Sequence, residues 1–596
     1  MADINPSQDY DVIHTLTFAA GSGTCKIRLY RGSPSAYTGT VYYRAGTSGA
    51  WTELSVSGTD TTFPVSATTM QIGHDHNKDG NNYMTVSFYG QSTNLVGLDI
   101  SQKAVFSGTM GNYFMYYYAR NCTSLTSLAV PDTSGLTSVG ADFMSSYAGG
   151  CSSLTSLAVP DTSGLTSVGN SFMRNYADSC TSLTSLAVPD TSKLTNADSN
   201  FMSSYASNCT SLTSFAVPDT SNLTSAGSNF MSVYANGCTS LTSLAVPDTS
   251  SLTSSGDYFM YDYAEGCSSL TSLAVPDISG LTSAGEGFMQ EYARYCTSLT
   301  SLAVPDTSNL TSVGFAFMSS YANNCTSLTS LAVPDTSNLT SAGSNFMSVY
   351  AKGCTSLTSL DVPNTSNLAS VGYGFMSSYA DGCTSLTGLD VPDTSKLTNA
   401  DSNFMAYYAR NCTSLTSLAI PNTSGITSAG QLFMGSYAEG CTSLTSLDVP
   451  NTSGITNVGS TFMDSYAEGC TSLTSLDVPD TSNLISAGFR FMDSYARGCT
   501  SLTSLAVPDT SNLTSAGSSF MFSYATNCSA LLRLELPAVG WFVGHDISWS
   551  MPSGRLNYLK GYVDNSTDLT AWQALTVSPK TLYTNYVRSA DNVILE

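Results

Sequence analysis

The chain has 596 residues and a formal charge of −23, yet only 11% of its residues are charged, against about a quarter in an ordinary soluble protein. Ser, Thr and Gly fill the shortfall, since the hydrophobic share is an ordinary 42%, and with 20 Lys and Arg against 43 Asp and Glu there are no clustered cations to grip phosphates, which excludes nucleic acid as a partner. No run of about 18 apolar residues occurs, which excludes a membrane-inserted helix, and the start "MADINPSQDYDVIHTLTF" lacks the basic and hydrophobic regions of an export signal.

Residues 1–91 read as an all-β module. The segments "HTLTF", "CKIRLYR", "TVYYRAG" and "YMTVSFYG" are strand-like and are separated by Gly, Ser and Asp turns. Within it, "DHNKDGNN" places Asp75, Asn77 and Asp79 ahead of Gly80, the first half of a calcium-loop pattern. The twelfth position, where an acid is expected, holds Val86, so a hairpin turn closed at Asp79-Gly80 is the competing reading. His74 and His76 alternate and could reach one metal together, without a third ligand. Residues 92–121 keep Leu95, Leu98 and Ile100 in a pattern one residue out of register with the later repeats, as a modified first repeat would.

From Cys122 through Cys151 and Cys180 to Cys528, cysteines recur at one constant spacing of twenty-nine, so residues 122–527 hold fourteen units without an insertion or deletion. A fixed period of this size means a solenoid whose units cannot bury their apolar faces alone and must stack. The first unit, "CTSLTSLAVPDTSGLTSVGADFMSSYAGG", counts from Cys122 as position 0. "LTSLAVP" has the period-two pattern of a strand, and "LTSV" is a second short extended piece. In "DFMSSYAGG" the apolar positions fall at i, i+1, i+4 and i+5 and end on Gly, which predicts a short helix with a left-handed cap. Identical residues should then stack into columns, among them Cys122, Cys151 and Cys180, the Phe143, Met144 and Tyr147 positions, and Asp132 and Asp161. Residues 528–545 keep Leu531, Leu534, Leu536 and Pro537 as a closing half-repeat, and 546–596 form a small terminal module.

The order Cys, Ser-Leu, strand, Pro, hydrophobic-Thr-Ser-hydrophobic-Gly, Phe, Cys in "CTSLTSLAVPDTSGLTSVG…F…C" resembles the bacterial leucine-rich repeats of the BspA type. The resemblance recurs in every unit of residues 122–527, some two thirds of the chain. Together with the period it implies an α/β solenoid, a right-handed leucine-rich-repeat-like coil with a parallel β-ladder and short helices, preceded by a small all-β domain and closed by a C-terminal cap module. The segment "VYYRAGTSGAWTELSVSGT" likewise looks like the β-module preceding such arrays in surface proteins of gut bacteria and their phages. Members of the family are mostly secreted or surface proteins implicated in adhesion, and a phage virion protein needs no export signal.

The array holds no His, so neither a Cys-His nucleophile nor a Cys/His zinc pattern can form there. The cysteines read as packed, unpaired thiols. Asp at +10, in "PDTS", reads as an Asx turn, with calcium bridging of the stacked carboxylates as the alternative. Position +7 should lie between buried +6 and +8, and it is Ala in most units but Asp at Asp361, Asp390, Asp448 and Asp477. Variation concentrates at +13, +19, +20, +23, +24 and +27, read as drift on a solvated side, the alternative being a partner-contacting face. Trp541, Trp549 and Trp572 could stack on sugars or fill the core of the terminal module.

No constellation supports catalysis, and no cofactor is expected beyond a candidate Ca²⁺. The sequence therefore predicts a non-enzymatic extracellular or virion-surface structural and adhesive protein. Its solenoid would be a rigid spacer, and its terminal modules would engage a host-cell or cell-surface protein or glycan, or other virion or filament subunits. The alternatives are a phage tail fibre or decoration protein, a binder of a periodic ligand such as polysaccharide or ice through Ser/Thr ladders, and a filament-forming protein.

Overall fold

The alternating segments of the first hundred residues form strands, as their pattern requires. The computed structural model describes residues 10–31, 36–74, 84–90, 94–100, 105–510, 512–531, 533–535, 558–560, 562–563, 586–588 and 594–595. The chain divides into two compact units, Met1–Leu299 and Thr300–Glu596.

The first unit begins with β1 (Val12–Phe18), β2 (Gly23–Arg31), β3 (Ala36–Tyr37), β4 (Gly39–Ala45), β5 (Thr52–Val56), β6 (Thr61–Val65), β7 (Thr69–His74), β8 (Met84–Ser87) and β9 (Leu95–Asp99). These lead into β10 (Val105–Met110), β11 (Ser127–Leu128) and β12 (Asp132–Val139). One sheet has the order β11-β9-β1-β7-β4-β5; another has β3-β2-β6, with β8 also on β2. β9 pairs antiparallel with β1 and parallel with β11, so that Leu98 lies opposite both Leu16 and Leu128. The exposed edge of the first ladder is thus covered by an antiparallel sheet, which removes an open template for another chain. The segment around β8 covers the other side of the same coil: Phe88 N donates to Tyr118 O at 2.7 Å and Gly90 N to Arg120 O at 2.8 Å.

Along the array, two short strand positions of a repeat pair in parallel with the same positions of the next repeat. In the first unit Ser185 and Leu186 face Ser214 and Phe215, and Ser225 and Ala226 face Ser254 and Ser255. In the second, Ser446 and Leu447 face Ser475 and Leu476, while Asn457 and Val458 face Ser486 and Ala487. The register therefore places like beside like. Leu at +3, +6 and +14, Phe +21, Met +22, Tyr +25 and Ala +26 are buried, and the Phe and Tyr columns stack face to face. Phe143 and Phe172 stand 5.6 Å apart, Tyr147 and Tyr176 5.4 Å, and Phe433 and Phe462 5.3 Å. Val at +8 is only half-buried; the proline after it is the buried one, which corrects the expectation for that strand.

The predicted short helices are not formed: among the described residues there is no helix, and hence none long and apolar enough to cross a membrane. Residues 142–150 are a train of turns in which every second residue near the start is left-handed, with φ 58° at Asp142, 48° at Met144 and 53° at Ser146. The reason is spacing. The ladders set coils about 4.8 Å apart, and the aromatic columns keep nearly that spacing on this side too, whereas packed helices need about 8–10 Å between axes. Alternating handedness instead turns amides toward adjacent coils: Ser146 N donates to Arg174 O and Gly150 N to Asp178 O, both at 2.7 Å, while Met144 N donates back to Phe114 O at 2.7 Å. The left-handed close at +28 is present, at Gly150 (φ 78°) and, in the capping repeat, at Asn121 (φ 60°).

At the far end of the second unit, Arg533–Glu535 pairs in parallel with Ser504 and Leu505 and then with Tyr558–Lys560.

Candidate functional site

The repeated reactive groups are turned inward. Every cysteine is buried and none is in a disulfide. Along each unit the thiol donates to a carbonyl of the preceding coil, as in Cys151 Sγ to Ala119 O at 3.0 Å and Cys354 Sγ to Ala322 O at 3.1 Å. Burial pushes the thiols of Cys180 and Cys441 up to about 12, so the thiolate needed for nucleophilic or metal chemistry is suppressed. The tyrosine column donates as regularly, with Tyr147 OH to Ala129 O at 2.6 Å and Tyr408 OH to Asp390 O at 2.8 Å.

The first strand side carries rows of Thr +4, Ser +5 and residue +7, all largely exposed. The Thr hydroxyls donate to the same position one coil back, as from Thr253 Oγ1 to Thr224 O at 3.1 Å at +15 and Thr416 Oγ1 to Thr387 O at 3.0 Å at +4. Asp361, Asp390, Asp448 and Asp477 are exposed at +7 and all lie in the second unit, so that unit presents an acidic version of a face that is otherwise Ala. The row at +15 is broken at Ile485, half exposed where most repeats hold Thr.

The +10 row caps its own turns. Asp132 Oδ1 accepts from Ser134 N at 3.1 Å and from Ser134 Oγ at 2.7 Å, and Asp161 does the same with Ser163. The Ser134 hydroxyl and amide hold Asp132 below the usual carboxylate range. Asn451 makes the same bonds to Ser453, at 3.1 and 2.7 Å, without a charge.

The columns at +20, +23, +24 and +27, read from the sequence as drift, hold the charge pairs of the array. In the second unit Arg410 grips Asp381 of the preceding coil through two bonds, 3.1 and 2.8 Å, and Lys352 reaches it from the other side at 3.1 Å. Arg490 lies 2.7 Å from Asp493 and 3.6 Å from Asp464. Burial raises Asp464 to about 7 against the pull of Arg490, with Asp493 and Glu468 adding to the rise. In the first unit Asp262, Glu265 and Glu291 converge. Sequence reasoning missed this group because it spans two repeats; aligning the columns places Asp262 and Glu291 both at +24 and Glu265 at +27.

In the N-terminal strands, His74 meets His14, Nε2 to Nε2 at 3.2 Å, and His14 Nδ1 lies 2.9 Å from Tyr118 OH. Both imidazoles are buried. Asp75, Asn77 and Asp79, His76, and Trp541, Trp549 and Trp572 lie outside the described residues.

Comparison with known proteins agrees with the repeat. The profile of the BspA type leucine rich repeat region matches in six copies within residues 112–276, 202–437 and 377–538. Among solved structures, the chain is similar to the pneumococcal vaccine antigen PcpA at 12% identity and a TM-score of 0.34, covering 84% of this chain and 93% of that one. It is similar also to a leucine-rich repeat protein from Eubacterium ventriosum at 14% identity and a TM-score of 0.31, covering 75% of this chain and 93% of that one. No curated protein matches.

Proposed function

The chain belongs to the BspA-type leucine-rich-repeat family, and from that membership we propose that it is a non-enzymatic surface protein, structural and adhesive, whose array is a stiff spacer for terminal recognition modules. One observation carries the reading. The chemically capable groups of each repeat, the thiol and the phenol, are buried and bonded to backbone carbonyls, and the side chains left on the strand faces are small, hydroxylic and nearly identical from coil to coil. A face that varies so little has little with which to read an individual protein, so recognition falls to the ends. The finer assignment is to the outside of a bacterial cell or of a phage particle.

The test is blocking. Fab fragments against residues 1–91 or 546–596 should abolish binding of the full chain to target cells, whereas Fabs against the repeats should leave it intact. Immunogold labelling of cells and of purified virions decides between the two locations. Binding blocked only by repeat-directed Fabs would transfer recognition to the array. A periodic ligand is then the reading to take up, because the Thr +4 and Ser +5 rows are exposed and in register.

A further inference from the structure

The converging carboxylates of the first unit are only partly paired by their neighbours. Asp262 and Glu265 stand on one coil and Glu291 on the next, and one carboxylate oxygen from each lies within 4.8 Å of the other two. Asp262 is 8% exposed, and its Oδ1 is buried without a hydrogen-bond partner. Such an oxygen costs free energy unless something positive meets it.

The neighbours supply part of the compensation. Asn236 Nδ2 donates to Glu265 Oε2 at 2.6 Å and Gln290 Nε2 to Glu291 Oε1 at 3.2 Å. Arg294 contacts Glu291 and stands 3.4 Å from Glu265 Oε1. These three groups hold the two glutamates in place. With all three carboxylates ionised, as a bound cation would hold them, one guanidinium leaves two negative charges, and none of these donors reaches Asp262 Oδ1. Burial, then Glu265 and Glu291, push the Asp262 carboxyl up to about 8, against the weaker pull of Tyr261 and Arg294. At the Asp464 and Asp493 pair, by contrast, Arg490 stands between the acids and pairs with both.

An all-carboxylate donor set selects a hard cation over zinc or copper. Calcium takes oxygens at about 2.3–2.6 Å in irregular geometry, so ligands on opposite sides of it stand up to about 5 Å apart, and water completes its shell where a site opens to solvent. Magnesium demands near-ideal octahedral geometry. We propose that Asp262, Glu265 and Glu291 form a calcium site that ties two consecutive coils together on the turn side of the array.

The test is calcium titration of the EDTA-stripped full chain by isothermal calorimetry, with magnesium as the comparison ion. The wild type should bind calcium, and Asp262→Asn and Glu291→Gln should each lose one equivalent while keeping the wild-type circular dichroism spectrum. Asp75→Asn should retain that equivalent. Glu291→Gln, at a partly exposed position, serves where Asp262→Asn does not fold. The proposal is overturned if the wild type binds no calcium, or if the equivalent survives Glu291→Gln or is lost in Asp75→Asn instead.

Discussion

On the strand side of a coil, Leu186 lies in extended backbone with Phe215 as its register partner one coil on. On the turn side of the same stack, Met202 has φ 47° and donates its amide to Phe172 O, one coil back, at 2.9 Å. Both sides hydrogen-bond coil to coil, but the first uses conformations any L-residue favours, and the second repeats a left-handed one at roughly 1–2 kcal/mol per non-glycine residue. The strand side can therefore be short and plain, two residues per bridge. The turn side must be held by what it buries and pairs: stacked Phe and Tyr columns, and ion pairs such as Asp381 with Arg410.

If that contrast is correct, the largest loss of stability comes from the turn side. Phe230 is fully buried and stacks 5.6 Å from Phe201 and 5.4 Å from Phe259. Phe230→Ala should cost about 3–5 kcal/mol, read as a lower urea midpoint for the first unit, and Ser243→Ala on the exposed strand row should stay within about 0.5 kcal/mol. Comparable effects of the two would break the contrast.

The covered end of the first unit sharpens it. Tyr147 donates to a carbonyl of its own repeat, but Tyr118, the start of the column, meets His14. Burial, then His74, holds His14 well below its usual pKa of 6.5. The folded chain thus keeps this imidazole neutral while the unfolded chain protonates it below about pH 6.5. Stability is fully present above that pH and falls as pH drops toward the folded value, by about 1.4 kcal/mol per pH unit for one extra proton on the unfolded chain. The raised carboxyls of Asp262 and Asp464 act with the opposite sign in the same range, so the His14 slope is read as the difference between wild type and His14→Gln in urea denaturation between about pH 7 and 5.

Much of this was legible in the sequence because the period is. Invariant spacing of Cys122, Cys151 and Cys180 dictates stacking, and burial of the Cys, Phe and Tyr columns follows from like meeting like. The helix was misjudged because the spacing of Phe143 and Tyr147 suits one helical turn, and only the narrow coil spacing, a property of the stack, forbids it. The acidic group was hidden for a related reason. Asp262 and Glu265 share one repeat while Glu291 stands in the next, so the three are neighbours by column and not by segment.

The smallest effect is expected where the array has already made the experiment. Asp132 and Asn451 occupy the same column and make the same two bonds to a serine two residues on. Asp132→Asn should therefore leave stability at neutral pH nearly unchanged. The charge shows only in acid. Because the serine bonds hold the Asp132 carboxyl below its unfolded value near 3.8, the aspartate stabilises the fold above that pH, and the contribution fades as pH falls through the folded value. The asparagine variant lacks the dependence, so the two proteins should differ in the slope of their acid unfolding below about pH 4. A large loss at neutral pH would mean that the carboxylate holds something beyond its own turn, and the +10 row would then join the strand rows as a place to look for a ligand.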